Sequence, residues 1–202
     1  MACGVWRDRL VRDAIPCYRA AVPNHDSKRN ILATGRYLQL IDDGGWEYVK
    51  RVAASGVVVI VATTDIGDLV LVEQPRASVK KHTIELPAGL VGDEIKSADE
   101  SMQVAAAREL KEETGFQAAH WQFLTEGPPS VGLSGEMVSF FRATGLTRVG
   151  PGGGVESENI TVHVVPVRDV PAFLAKQEAA GALIDPKVFA GLYFVAAERS
   201  QT

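Results

Sequence analysis

The chain has 202 residues, 46% of them hydrophobic and 23% charged, and its 21 basic against 25 acidic residues give a formal net charge of −4. These proportions are typical of a globular domain, and they exclude a collagen-like chain, a disordered tail protein and a disulfide-rich scaffold. The slightly acidic balance also lacks the basic footprint that duplex DNA or RNA would need, so we expect no nucleic-acid partner.

Extended segments dominate the first half of the chain. Ile31–Ile41 and Trp46–Val52 are predicted strands, and the Asp-Asp-Gly-Gly sequence between them predicts a turn. We therefore predict a β-hairpin within a small N-terminal extension over residues 1–52. Gly56–Val61 is a β-branched run, typical of a strand buried on both faces. Two further strands are predicted over Leu69–Glu73 and Thr83–Leu86.

Helical patterns begin only in the second half. Ser101 is a candidate N-cap, Met102–Glu113 is rich in helix-forming residues, and Gly115 is placed to end the helix. Towards the C-terminus the pattern predicts strands over Met137–Arg142 and Ile160–Val167 and helices over Val170–Ala180 and Pro186–Ala196. Three helices interleaved with strands predict one α/β layered domain with a mixed sheet over residues 53–202.

The cysteines and the apolar segments indicate the cellular compartment in which the protein is expected. Cys3 and Cys17 are the only cysteines and form no C-x-x-C pattern, so a Cys-rich zinc site is not expected. A reduced compartment is the default for such a chain. The most apolar stretch, Val57–Ala62, is far shorter than the roughly 20 residues that cross a bilayer, and no signal-peptide pattern is present. We therefore expect a cytoplasmic protein without a membrane partner.

The predicted helix after Ser101 carries an acidic face. Glu109, Glu112 and Glu113 are spaced at i, i+3 and i+4, which places them on one side of a helix, and Glu100 can fold back towards them. Like charges so close together repel, and oxygen-ligated divalent cations such as Mg²⁺ or Mn²⁺ are their natural compensators. An acidic helix face that is merely solvated is the alternative.

The surrounding residues resemble the signature of the Nudix hydrolase family, G-x5-E-x7-R-E-U-x-E-E-x-G-U, in which U is a bulky apolar residue. The segment from Glu100 to Phe116 fits without a gap: Glu100, Arg108, Glu109, Leu110, Glu112, Glu113, Gly115 and Phe116. Gly89 lies 11 residues before Glu100 where the pattern has six, so Leu90–Asp99 carries a five-residue insertion. Loops absorb such insertions cheaply. The resemblance implies a Nudix-type α/β/α sandwich with a mixed β-sheet.

Segments outside the signature resemble the ADP-ribose and nucleoside-diphosphate-sugar pyrophosphatase branch. These segments are Trp46–Arg51, Glu73–Arg76, Glu85–Gly89 and the run from Glu156 through Glu158 to Pro166. One departure is Ser130-Val131-Gly132, where the branch often carries Ser-Pro-Gly, and it leaves other diphosphate sugars open as substrates. The implied activity is metal-dependent hydrolysis of ADP-ribose, or of a related nucleoside diphosphate sugar, to a nucleoside monophosphate and a sugar phosphate.

The resemblance assigns roles to individual residues. The Ala88 carbonyl, Glu109, Glu112 and Glu113 would ligate Mg²⁺ or Mn²⁺, and Glu112, Glu113 and either Glu156 or Glu158 would serve catalysis. The substrate would be bound by Trp46, which stacks on the base, and by Arg51, Arg76 and Glu85. Gly89, Glu100, Arg108 and Gly115 would shape the signature, with Arg108 paired to Glu100.

Three alternatives or extensions stay open. The substrate could instead be a dinucleotide or a nucleoside triphosphate, although the Cys-rich zinc segment usual in the NADH branch is absent. The chain could also be a non-catalytic, nucleotide-binding regulator, which the complete acid set argues against. The extended, apolar residues 31–52 suggest a homodimer, in which Trp46 could cross to the partner.

Overall fold

The computed structural model describes residues 29–92, 100–155 and 158–199. Cys3, Cys17 and Glu156 lie outside these ranges, as does most of the five-residue insertion. The described elements are three helices, α1 (Met102–Thr114), α2 (Val170–Ala179) and α3 (Pro186–Arg199), and eleven strands: β1 (Asn30–Thr34), β2 (Leu38–Asp43), β3 (Trp46–Arg51), β4 (Gly56–Ala62), β5 (Asp68–Arg76), β6 (Lys81–Glu85), β7 (Ala88–Val91), β8 (Phe116–Gly127), β9 (Val138–Arg148), β10 (Thr161–Pro166) and β11 (Leu183–Ile184). None of the described helices has the length and apolar character needed to cross a membrane.

The strands form three sheets, in the orders β1-β2-β3, β10-β5-β6-β11 and β7-β4-β9-β8. The pairs β4–β9 and β6–β11 are parallel and the other pairs are antiparallel, so the predicted mixed pairing is confirmed.

Alternating side chains of β4 separate two apolar layers. Val58 and Ile60 pack in a cluster with Ala105 and Leu110 of α1, whereas Val59 and Val61 pack in a cluster that includes Leu174 of α2 and Val188 of α3. Because successive strand residues point to opposite faces, a continuous β-branched run fills both layers. The strand predicted to be buried on both faces is therefore confirmed, and the helices cover the sheets from two sides as in an α/β/α sandwich.

Helix α1 begins and ends where the sequence predicts. The Ser101 hydroxyl accepts a hydrogen bond from the Val104 backbone nitrogen, and Gly115 adopts a left-handed conformation with φ 72° while its N–H donates to the Lys111 carbonyl. An added Cβ at Gly115 would also lie 2.2 Å from the Gly150 carbonyl oxygen. The glycine is thus required both by its backbone angle and by the loop packed against it.

The N-terminal part contains one more strand than the predicted hairpin. The run Ile31–Ile41 is not one strand, because the chain reverses after Thr34 and Gly35 donates a backbone hydrogen bond to Leu38. The predicted hairpin is present as β2 and β3, joined at Gly44 and Gly45, and β1 adds a third antiparallel strand. The continuous apolar character of the run concealed a tight turn that begins at a single glycine.

Strand β8 was not predicted. It pairs with β9 from Phe116 to Gly127 at the edge of its sheet, with a register shift between Phe123 and Thr125. Most of its side chains are exposed or half-buried. An edge strand with a bulge has no clean two-residue alternation, so its pattern does not stand out in the sequence.

Candidate active site

A cavity of about 770 Å³ opens where β5, β6, β7 and α1 meet the start of α3. Its walls carry three cations, Arg51, Arg76 and Lys187, and six carboxylates: Glu85, Glu109, Glu113, Glu136, Glu158 and Asp185. The volume lies in the range of small-molecule sites. The concentration of acids on its walls marks the cavity as the candidate functional site.

Glu113 is the most deeply buried acid of α1. Its side chain is only 4% exposed, and Oε2 accepts a hydrogen bond of 3.0 Å from the backbone nitrogen of Ala88 at the start of β7. The pKa of Glu113 is raised to about 8, chiefly by burial and also by the nearby charges of Glu109, Glu158 and Glu85, while the Ala88 hydrogen bond acts in the opposite direction. Burial and the neighbouring carboxylates both disfavour the ionised form of Glu113.

The Glu109 carboxylate lies directly against Gly89. A Cβ added at Gly89 would be 1.9 Å from the Glu109 Cδ atom and 2.0 Å from Oε1, so only glycine leaves room for this carboxylate. The loop glycine of the signature thus has a steric role in spite of the insertion that follows it.

Arg108 ties α1 to the loop that precedes it. Its guanidinium donates to both oxygens of Glu100 at 3.1 and 3.2 Å, to Glu109 Oε1 at 2.8 Å, to Glu112 Oε2 at 3.3 Å and to the Leu90 carbonyl at 3.0 Å. The ion pair lowers the pKa of Glu100 and raises that of Arg108. The predicted contact between Arg108 and Glu100 is present, and the arginine holds both ends of the loop that contains the insertion.

A glycine-rich loop packs against the last turn of α1. The N–H groups of Gly153 and Gly154 donate to the carbonyls of Glu113 and Glu112, at 2.8 and 3.0 Å. Helices leave their last carbonyls unpaired, and this loop satisfies two of them. The same loop leads to Glu158, whose Oε2 accepts from the Val155 nitrogen at 3.1 Å.

Arg76 of β5 and Glu85 of β6 form a bidentate pair in the cavity wall. The Arg76 Nε and Nη2 atoms donate to the two Glu85 oxygens at 2.6 Å each, and the Thr83 hydroxyl also donates to Glu85. Glu85 is 4% exposed, whereas the Arg76 side chain is 44% exposed. The carboxylate fixes the guanidinium, which raises the pKa of Arg76.

Arg51 reaches the cavity from β3 and pairs with Glu136 from the segment before β9. Two backbone hydrogen bonds, from Val49 to the Leu133 carbonyl and from Gly135 to the Val49 carbonyl, hold β3 to the same segment. Trp46, at the start of β3, is 61% exposed and does not line the cavity.

The carboxylate oxygens of α1 that line the cavity are suitable ligands for a divalent cation. Carboxylates are the oxygen ligands that Mg²⁺ and Mn²⁺ prefer, and a cation bound there would favour the ionised form of Glu113, whose pKa is raised chiefly by burial. Within the described ranges, however, no three His, Cys, Asp or Glu side chains are grouped closely enough to hold an ion as they stand. Glu109 and Glu112 are both held by Arg108, so binding would require these side chains to turn.

Seven of the residues singled out in the sequence line the cavity together with Gly89: Arg51, Arg76, Glu85, Ala88, Glu109, Glu113 and Glu158. Glu100, Glu112, Arg108, Gly115 and Trp46 do not line it, and Glu156 lies outside the described residues. The polar residues that line the cavity but were not predicted from the sequence include Gln74, Glu136, Asp185 and Lys187. Asp185-Pro186 is a recognisable helix start, but no local pattern shows that this start meets β6.

Comparison with known proteins agrees with the geometry. A model of the NUDIX domain matches residues 50–185. The chain is 36% identical over 141 residues to an ADP-ribose pyrophosphatase of Mycobacterium tuberculosis, covering 69% of this chain and 64% of that protein. It is 31% identical over 137 residues to a methanol dehydrogenase activator of Bacillus methanolicus, covering 65% of this chain and 71% of that protein. The match thus spans slightly less than two thirds of the first relative.

The fold is shared with a solved structure as well. An ADP compounds hydrolase has a TM-score of 0.61 at 20% sequence identity, and the alignment covers 86% of this chain and 91% of that chain. At this identity the likeness concerns the fold alone. Since the domain model spans most of the chain and includes α1 with its acidic face, the chain belongs to the NUDIX domain family.

Proposed function

We propose that the protein is a metal-dependent pyrophosphatase that hydrolyses ADP-ribose or a related nucleoside diphosphate sugar to a nucleoside monophosphate and a sugar phosphate. The observation that carries the proposal is the buried Glu113 with Glu109 and Glu158 on one wall of the cavity, facing the fixed Arg76 on another. A site that combines clustered acids with a positioned guanidinium suits a diphosphate bound together with cations. The ADP-ribose pyrophosphatase among the relatives supports this substrate class.

Glu109, Glu112, Glu113 and the Ala88 carbonyl are the proposed ligands of Mg²⁺ or Mn²⁺. A divalent ion bound there would supply positive charge against the diphosphate and would lower the pKa of a coordinated water. The N–H of Ala88 keeps the Glu113 carboxylate at the start of β7, next to the proposed carbonyl ligand. Gly89 keeps the space beside Glu109 open.

Glu158 is the proposed group that orients or deprotonates the attacking water, with Glu156 as the alternative. Glu158 lines the cavity, and its charge raises the pKa of Glu113, so the two carboxylates are electrostatically coupled. Glycines 152–154 have φ values of 71°, 108° and 82°, a conformation that permits the loop to turn back over the helix end before Glu158.

Arg76 is the proposed contact to the diphosphate oxygens, and Glu85 is proposed to position it. Glu85 is nearly fully buried, and both of its carboxylate oxygens accept hydrogen bonds from Arg76. Glu85 therefore acts through the arginine rather than on the substrate. Because the bidentate pair holds the guanidinium in one orientation, its remaining N–H groups also have fixed directions.

A homodimer formed through β1–β3 is part of the proposal. All five residues of β1 are exposed, and Ile31, Leu32, Tyr37, Leu38 and Trp46 expose between 45% and 64% of their surface. A small sheet with so much exposed apolar surface is typical of a surface that another chain covers. A partner could bring its Trp46 to the cavity that this chain's own Trp46 does not line.

A panel of substrates tests the proposal. Phosphate release would be measured with Mg²⁺ and a coupled phosphatase for ADP-ribose, other nucleoside diphosphate sugars, NADH and nucleoside triphosphates. The proposal expects release from the diphosphate sugars first of all. Preference for NADH or a triphosphate would mean that the substrate is a dinucleotide or a nucleoside triphosphate instead. Nucleotide binding without turnover of any compound would support a non-catalytic regulator.

A further inference from the structure

The start of α3 forms a separate wall of the cavity. Strand β11 pairs in parallel with β6, with Ile184 opposite Ile84, so Asp185 follows beside the buried Glu85. The Asp185 N–H donates to the Ile84 carbonyl at 3.0 Å, and its Oδ1 accepts from the Lys187 backbone nitrogen at 2.8 Å. Asp185 therefore caps α3 while its side chain lines the cavity.

This wall is polar but electrically balanced. The Lys187 ammonium pairs with Asp185 Oδ2, next to the pair of Arg76 and Glu85, and the charge of Asp185 contributes to the raised pKa of Arg76. The acids of α1 that line the cavity, Glu109 and Glu113, lie on a different wall. A further phosphate group would gain no net positive charge at the start of α3, whereas a neutral group with several hydroxyls could donate to the carboxylate and accept from the ammonium.

A second observation points to a ligand at this wall. Gln74 is 9% exposed and lines the cavity on the same face of β5 as Arg76, yet its side-chain amide has no hydrogen-bond partner among the described residues. Gln74 lies opposite Thr83 in β6, and Thr83 lies opposite Leu183 in β11. Since none of the buried side-chain nitrogen or oxygen atoms among the described residues lacks a partner, the Gln74 amide atoms are open to the cavity, where a ligand can hydrogen-bond to them.

We propose that Asp185 and Lys187, together with the Gln74 amide, bind the hydroxyl groups of the sugar attached to the diphosphate. This inference rests on the proposed function and extends it to specificity. A site built to hydrogen-bond hydroxyls discriminates strongly against compounds that lack them, because its polar groups then stay unpaired. These three residues thus favour sugar-linked diphosphates over nucleoside triphosphates.

Product inhibition separates this sugar-binding role from diphosphate chemistry. With ADP-ribose as substrate, inhibition constants for ribose 5-phosphate and for AMP would be measured in the wild type, Gln74→Leu and Lys187→Met. Each variant is expected to weaken inhibition by ribose 5-phosphate about tenfold, which corresponds to one lost hydrogen bond, and to change inhibition by AMP less than twofold. Lys176→Met, an exposed lysine on α2, is the matched control and should match the wild type.

The stability of the variants distinguishes recognition from a structural role. Gln74→Leu removes an amide that has no described partner, so its melting temperature should equal or exceed that of the wild type. Asp185→Asn keeps a capping side chain at the start of α3 and should also stay folded.

Two results would overturn the inference. Equal weakening of both inhibitors, or no weakening of either, in an enzyme that hydrolyses ADP-ribose would remove the sugar-binding role and leave the proposed function intact. A wild type that hydrolyses no nucleoside diphosphate sugar would end the proposed function, and the inference with it.

Discussion

The carboxylate of Glu113 accepts a hydrogen bond from the Ala88 nitrogen at 3.0 Å, and this contact joins α1 to the start of β7 inside the cavity. The acid is nearly fully buried beside Glu109, Glu158 and Glu85. Without a cation the folded protein therefore favours the protonated form of Glu113, whose pKa is raised to about 8.

This pKa predicts how stability depends on pH without metal. The folded-state pKa of Glu113 lies above the ordinary glutamate value of 4.5, so the folded protein binds more protons than the unfolded chain between these two pKa values. The contribution of Glu113 to the free energy of unfolding is thus present in full below pH 4.5 and is lost as the pH rises to about 8. The loss amounts to up to about 5 kcal/mol.

Denaturant unfolding in EDTA between pH 4.5 and 9 would measure this loss. Glu113→Gln should flatten the decline, whereas Glu178→Gln, at an exposed position on α2, should keep it. Saturating Mg²⁺ should also flatten it for the wild type, because a bound cation favours the ionised carboxylate. If the stability of the wild type and of Glu113→Gln changed with pH in the same way in EDTA, Glu113 would not be the group with the raised pKa.

The glycine before the insertion is predicted to matter for activity more than for folding. Gly89 does not have a positive φ, so alanine fits its backbone, but the new Cβ would displace the Glu109 carboxylate that now lies 1.9 Å from that position. Gly89→Ala should lower kcat/KM at least tenfold with a small change in melting temperature. Gly127→Ala, where an added Cβ meets no atom within 4 Å, is the control. Wild-type activity in Gly89→Ala would show that Glu109 need not stay in place.

Much of the fold follows from local patterns. The β-branched run of β4 and the caps of α1 at Ser101 and Gly115 are local signals, and each is confirmed. The turn after Thr34 and the edge strand β8 were missed, because one depends on a single glycine within an apolar run and the other on pairing with β9 along ten residue pairs. Pairing over such distances is decided by the whole sheet rather than by the segment.

The arginine that faces the acidic wall should depend on its buried partner. Glu85→Gln removes the charge that fixes Arg76, so we expect the KM for ADP-ribose to rise about tenfold while kcat falls less, and the stability to fall by about 3 kcal/mol. Steady-state kinetics and denaturant unfolding would measure both effects. In a double-mutant cycle with Arg76→Gln, the two changes should be strongly non-additive. Additive effects would mean that Glu85 does not act through Arg76.

The candidate site was predictable only in part. Spacing on one helix identifies Glu109 and Glu113, because side chains three or four residues apart share a face. It does not reveal that Glu136 meets Arg51, or that Asp185 lies beside Glu85, since these contacts join segments that are 85 and 100 residues apart. The exposed position of Trp46, away from the cavity, is likewise decided by how β3 packs.

The exposed sheet β1–β3 predicts self-association. Light scattering coupled to gel filtration should give a dimer for the wild type, and Ile31→Glu with Leu32→Glu should shift it towards the monomer without changing the circular dichroism spectrum. Ile66→Glu, an exposed apolar residue outside this sheet, should leave the dimer intact. A wild-type monomer that is fully active on ADP-ribose would contradict the proposed homodimer.

The central claim, cation-dependent cleavage of a diphosphate sugar by the acids around Glu113, is tested most directly by chromatography of ADP-ribose reaction products. The wild type with Mg²⁺ should form AMP and ribose 5-phosphate in equal amounts, and EDTA should abolish both. Glu113→Gln, folded by circular dichroism, should lower the rate by two or more orders of magnitude. A near-wild-type rate for Glu113→Gln, or undiminished turnover in EDTA, would contradict the claim.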